Sequence, residues 1–166
     1  MGRTGTTRRR ALMVTGAVAA GALTGCSGEE RERRRTPGSA PDTARNAARA
    51  EAALRRRLAA ASGSLRDQYD AVIAQHPSLA GQLAALREAV SEHVAALGGT
   101  TRVAAPGTVP ATAPAAVKAL AVAERRTSDA HMAALVDAGP ELARLLASIA
   151  AAGAAHAYLL TKGGPR

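Results

Sequence analysis

Apolar residues recur at steps of three and four in four stretches of the chain. In the first, Leu54, Leu58, Ala61, Leu65, Gln68 and Val72 mark one face of a helix. It is predicted to start near Asp42, an N-cap type that follows Pro41. It is predicted to stop at His76-Pro77, because proline disfavours helical geometry in the residue before it. Ser62-Gly63-Ser64 weakens its middle and predicts a kink there. The second stripe is Leu79, Leu83, Leu86, Val90, His93 and Leu97, with Pro77 in the first turn and Gly98-Gly99 as the stop. The third starts near Pro114 and carries Val117, Leu120, Glu124, Ser128, His131 and Leu135. Gly139-Pro140 ends it and opens the fourth, with Leu142, Leu145, Ile149, Ala152, His156 and Leu159, which closes before Gly163-Gly164.

A helix with one apolar stripe is not stable alone, so the four are expected to bury their stripes together as an all-α four-helix bundle. The first and second helices are joined by a very short link, as are the third and fourth, which makes two antiparallel hairpins. The connection over 98–113 is different. At roughly 3.3 Å per residue it can span more than about 50 Å, while a helix of about 20 residues is only about 30 Å long. The expected architecture is therefore ferritin-like, with a long crossover and parallel second and third helices, in preference to a simple up-down bundle.

Composition agrees with this and narrows the function. Ala, Leu and Arg dominate residues 42–162, with Gly and Pro mostly at boundaries, which favours helix over strand in one small domain. The chain has a formal net charge of +9, from 22 basic and 13 acidic residues. Four of the Arg lie in the first 25 residues, and without them the balance is 18 against 13, or +5. With no Trp or Phe and only Tyr69 and Tyr158, there is no aromatic platform for bases, and nucleic-acid binding is not expected.

The N-terminus carries the most specific motif. Arg3, Arg8, Arg9 and Arg10 precede 15 uncharged residues, Ala11 to Gly25, which suits a signal peptide and is short of a spanning helix. Leu23-Thr24-Gly25-Cys26 then resembles the bacterial lipobox. That resemblance implies alkylation of the Cys26 thiol with diacylglycerol and cleavage between Gly25 and Cys26. Thr7-Arg8-Arg9-Arg10-Ala11-Leu12 also resembles a twin-arginine export motif, with Ala11 where an aromatic is usual. Residues 1–25 are thus expected to be an export signal, 26–41 a lipidated Cys and disordered tether, and 42–162 the bundle. Cys26 is the only Cys, so no internal disulfide is expected.

Four titratable residues sit on predicted core faces: His93, Glu124, His131 and His156. Counted from the Gly139-Pro140 turn, Glu124 and His156 face each other at one depth of the hairpin. Parallel second and third helices would put His93 and His131 at a second level; antiparallel ones would put His93 with Glu124 and His156. One reading is a buried Glu124–His156 hydrogen bond that sets helix register, with His93 and His131 half-exposed. A second is a metal site, since imidazole and carboxylate from facing helices suit zinc, copper or iron, and a third is a proton-coupled or ligand-binding pocket. His76, before Pro77, reads as a capping or solvent residue.

From Val109 to Leu160, a Pro-rich linker, Pro114-Ala115-Ala116, the run Ala119-Leu120-Ala121-Val122-Ala123-Glu124-Arg125 and a small-residue-rich last helix resemble small ferritin-like domains of unknown function in exported proteins of high-GC Gram-positive bacteria. Di-iron members of the wider group carry Glu-x-x-His on two helices. Here Gly153, Ser128 and Val90 stand three residues before His156, His131 and His93, so oxidase and iron-storage chemistry are not implied. There is no Walker loop, dinucleotide fingerprint or His-Glu-x-x-His. The expected function is a non-enzymatic lipoprotein at the outer face of the cytoplasmic membrane. It would be held by lipidated Cys26, bind an envelope protein or ligand or serve a structural role there, and need no cofactor. The alternative is a metal-binding or redox accessory protein using Glu124, His156, His93 and His131.

Overall fold

The computed structural model describes residues 39–100 and 107–162; Arg8, Arg9, Gly25 and Cys26 lie outside them. Four helices account for nearly all of the described residues, and no strand is among them. They are α1 (Ser39–Gln75), α2 (Ala80–Ala96), α3 (Ala113–Ala133) and α4 (Pro140–Lys162). Single 3₁₀ turns, Pro77–Leu79 and Ala134–Asp137, lead into α2 and out of α3. The all-α four-helix reading of the sequence stands. Ser39 to Pro41, expected in the tether, already belong to α1.

The stops act as their chemistry requires. His76, held before Pro77, leaves the helical region at φ −128°, ψ 73°. Gly98 takes φ +74°, a left-handed conformation that costs glycine little. The N–H of Gly98 then bonds to the Ala95 carbonyl and that of Gly99 to the Val94 carbonyl, which satisfies the last carbonyls of α2. α1 runs as one 37-residue helix through Ser62-Gly63-Ser64, with no break. A Cβ built at Gly63 meets nothing within 4 Å. Gly63→Ala is therefore expected to stabilise the fold by about 0.5–1 kcal/mol through helix propensity alone, read as a higher urea midpoint.

The core is divided. One apolar cluster joins Leu65, Tyr69 and Val72 of α1 to Leu83 and Val90 of α2, Val117 and Leu120 of α3, and Leu160 of α4. The other joins Leu54 and Leu58 to Leu97, Leu142, Leu146 and Ile149. Along α1, α3 and α4, the residues between these clusters include buried Ser62, Glu124, Ser128, His131 and Gly153. A polar stratum thus separates two apolar halves.

Two stripes depart from their predicted positions in part: Leu54, Leu58, Leu65 and Val72 of α1 and Leu142 and Ile149 of α4 are buried as predicted, and the rest differ. On α1, Gln68 is exposed and Ala61 half-buried, while Ser62 and Tyr69 face inward. On α4, Leu159 is 53% exposed, and the buried set is Leu142, Leu146, Ile149, Ala150, Gly153, Ala157 and Leu160. α4 is also the one helix among the described residues long and apolar enough to cross a membrane by length and composition; here its inner face is part of both clusters.

Candidate functional site

The polar stratum draws on all four helices, with His93 and His131 in the last turns of α2 and α3. α3 supplies Glu124, Ser128 and His131, at steps of four and three, which puts all three on its buried face. α1 supplies Ser62 and Tyr69, seven residues apart on its inner face. α2 supplies His93, and α4 supplies Gly153 and His156.

Glu124 is the hub. The residue is 1% exposed, and its Oε1 accepts from the Tyr69 hydroxyl at 2.7 Å and from His156 Nδ1–H at 3.1 Å. One carboxylate oxygen therefore ties α1, α3 and α4 together. Burial, and then the Glu124 carboxylate, push the Tyr69 phenol far above its ordinary value, so it remains a donor. His156 is half-buried at the edge of the stratum, and its ring stacks on His93, with centroids 6.2 Å apart and planes 16° from parallel.

His131 forms a separate pair. Its Nδ1–H donates to the Thr127 carbonyl at 2.7 Å, since a carbonyl only accepts. That fixes the tautomer, and Nε2 is left to accept from the Ser62 hydroxyl at 3.4 Å. His131 is fully buried, against the half-exposed position expected from its place near a helix end. Ser62 is 1% exposed, so this serine–imidazole pair has no access to a substrate. Ser128 Oγ donates to the Ala150 carbonyl at 2.7 Å, a bond between α3 and α4 that their small facing residues allow. His76 is more than a cap: its Nε2–H donates to the Pro110 carbonyl at 2.9 Å, which ties the end of α1 to the approach to α3.

The structure thus brings Glu124, His156 and His93 together and places His131 apart from them. Among the described residues no three His, Cys, Asp or Glu side chains are placed to hold a metal ion. The physical reason is orientation. Imidazole lone pairs lie in the ring plane, and two nearly parallel rings cannot aim them at one point. His156 Nδ1 is also committed to Glu124, and His131 Nδ1 to a carbonyl. Tyr69 and Ser62 were missed in the sequence because α1 alone gives no reason to prefer them to Gln68 and Ala61. Their partners lie 55 and 69 residues away.

Every buried side-chain N or O among the described residues has a partner. The clefts lie elsewhere: one of about 550 Å³ lies between α1 and Gly98-Gly99-Thr100, and two lie on the α1–α3 face. One of about 280 Å³ is lined by Gln68, Val72, Val109 and Leu120, and one of about 640 Å³ by Ala61, Lys118, Val122 and Arg126. No family model matches the chain, and no curated protein or solved structure is significantly similar to it.

The stratum sets a pH dependence whose sign is fixed by burial. Desolvation, and for His93 also the neighbouring His156, lower the His93 and His131 pKa values below the ordinary 6.5. The unfolded chain therefore binds more protons than the native one as pH falls through that value, and stability rises with pH there. The contribution of both residues is fully present above about pH 6.5 and is lost as pH drops toward their folded values. Urea midpoints are expected to fall steadily from pH 7.5 to 5. A midpoint that holds constant or rises over that range would contradict the burial of both imidazoles.

Proposed function

We propose that this chain is a lipoprotein of the cell envelope, held at the outer face of the cytoplasmic membrane by a diacylglyceryl Cys26. Its bundle has a non-enzymatic binding or structural role. The observation that carries the reading is the order of the first 26 residues: a basic stretch, 15 uncharged residues, then Leu23-Thr24-Gly25-Cys26. Two acyl chains on one Cys suffice for stable anchoring where one is marginal. Arg8 and Arg9 suit the twin-arginine route as well as general secretion. The non-enzymatic part is supported by how the buried polar groups are used. Glu124, Ser128 and His131 each bond to a neighbouring helix. No nucleophile, base and open space converge among the described residues, as a reaction would require.

We read the bundle as a ferritin-like one with a lengthwise crossover. In support, Ser62 pairs with His131, Tyr69 with Glu124 and His76 with Pro110, so contacts along α1 run in reverse order along α3. α1 also reverses into α2 across a short turn. Two reversals make α2 and α3 parallel, the arrangement a long connection would serve. The same reading accounts for His93. α2 and α4 then oppose each other, and Cβ atoms lean toward their own helix N-terminus. The His93 and His156 rings lean toward each other and meet, although depth counting at the Cα level assigns His93 to His131.

Cys26→Ala is expected to move the full-length chain from the membrane fraction to the soluble fraction and to abolish incorporation of labelled fatty acid. A variant that stays in the membrane fraction, beside a wild type that takes up no label, would remove the basis for the anchor.

A further inference from the structure

We infer that the trough between α1 and α3 is a binding site for a single-chain carboxylate amphiphile, with its acid group on Arg126 and its apolar chain running to the pocket at Val72, Val109 and Leu120. This names a ligand class for the binding role proposed above and rests on that role, but not on the anchor at Cys26.

The packing leaves the trough open. α3 lies on α4 over a more extensive contact than it makes with α1. Gly153 and the Ser128–Ala150 bond hold α4 close to α3, whereas α1 is joined to α3 through a side chain as long as Tyr69, which reaches across to Glu124. A trough of about 640 Å³ remains between α1 and α3, with Ala61, Ala119 and Ala123 along it. Ala61 and Gln68, expected on the core stripe of α1, line this trough instead. The cavity of about 280 Å³ shares Ser64, Gln68 and Ala119 with it, so the two adjoin, and Val72, Val109 and Leu120 make the second one apolar. An apolar cavity with a few polar groups at its mouth is the usual form of a small-molecule site.

Charge decides what the ligand carries. Lys118, Val122 and Arg126 follow one another at steps of four along the α3 wall, and no acidic side chain lines the trough. Neither cation has an ion-pair or hydrogen-bond partner among the described residues. Asp67 lines the smaller cavity, but Arg66 holds it at 2.6 Å, and both are buried or nearly so. Two cations over an apolar surface, with no anion to meet them, are complementary to an acid with an apolar tail. Arg126 stands six residues from Leu120, about 9 Å along the helix, within the length of a medium acyl chain. Its guanidinium fork matches a carboxylate. Lys118, nearer the apolar end, can lay its stem on the chain and keep its ammonium in water. Val122, 45% exposed, would be covered.

The test is a calorimetric titration of the full-length Cys26→Ala chain with decanoate, below the concentration at which decanoate forms micelles. Saturable binding of one decanoate per chain is expected. Arg126→Gln and Lys118→Gln are each expected to weaken it by about two- to fivefold, the range that exposed ion pairs cover. Decyltrimethylammonium has the same chain and the opposite charge. It is expected to bind at least about tenfold more weakly, since attraction to two cations becomes repulsion. Ala119→Phe fills the junction of the two cavities from an exposed position, so it should fold with an unchanged urea midpoint and lose the saturable binding. The proposal is overturned if decanoate does not saturate the chain, if decyltrimethylammonium binds as tightly, or if folded Ala119→Phe binds decanoate as the parent does. Binding to phosphatidylglycerol vesicles without saturation by decanoate would assign the two cations to a lipid surface and overturn it as well. Fractionation of Cys26→Ala tests the anchor separately, so loss of either reading leaves the other standing.

Discussion

Glu124→Ala is expected to destabilise the bundle by about 3 kcal/mol, because it removes the one acceptor shared by a fully buried and a half-buried donor. Tyr69 is fully buried and has no other described partner for its hydroxyl. His156 loses the partner of Nδ1. The void left by the side chain adds to the cost. A domain of this size has a stability of about 5–15 kcal/mol, so the variant should fold but with a clearly lower urea midpoint. Glu124→Gln keeps the shape and an acceptor for the Tyr69 hydroxyl, and is expected to lose less than half as much. Pairing Glu124→Leu with Tyr69→Phe removes donor and acceptor together. The double variant should be more stable than the sum of the two single losses predicts. Additive losses, or a Glu124→Ala midpoint equal to that of the wild type, would mean that the hub holds nothing together.

Gly153 is the second position where a large effect is expected, and here the contrast between two variants carries the argument. A Cβ at 153 would stand 3.3 Å from Glu124 Oε2 and 3.3 Å from Ser128 Cβ. α4 comes this close to α3 because Gly153 has no side chain, and that closeness lets Ser128 donate to the Ala150 carbonyl. Ala at 153 requires a shift of a few tenths of an ångström, and its gain in helix propensity of about 1 kcal/mol offsets most of the strain. Val adds two methyl groups to the same gap, and overpacking of this kind costs about 2–3 kcal/mol. Gly153→Ala should therefore stay near the wild type, while Gly153→Val should be strongly destabilised. A Val variant no worse than Ala in urea or thermal unfolding would show that the helices have room to separate there.

The helix ends were legible because they are local. Pro77, Gly98-Gly99 and Gly139-Pro140 act on their own backbone or on the next peptide, so each stop could be read without knowledge of the rest of the chain. The facing of Glu124 and His156 was also legible, since both are counted from one tight turn. The positions on α1 and α4 that shifted by one residue are the instructive failures. On α1, Ala61 or Ser62 and Gln68 or Tyr69 serve equally well as the inner face by periodicity, and polarity favours Ala61 without separating Gln68 from Tyr69 decisively. Their choice is settled across the bundle: Ser62 and Tyr69 are inside because His131 and Glu124 are there to bond them. On α4, the Ala- and Gly-rich middle carries little hydrophobic contrast. Gly153 turns inward because α3 needs close approach, and that rotation carries Leu159 out and Leu160 in.

By itself, then, the sequence determined the helical class, the number of helices and where they stop, because capping, proline geometry and apolar periodicity operate within a few residues. It also holds the order of basic residues, uncharged residues and Leu23-Thr24-Gly25-Cys26 on which the proposed anchor rests. Only the tertiary structure decided which polar residues are inside, that they form a stratum between two apolar clusters, and that His93 meets His156 ring to ring while His131 pairs with Ser62. The reason is energetic. A buried polar group is tolerated only when a partner satisfies it, and for the residues of this stratum most of those partners lie on other helices, tens of residues away along the chain.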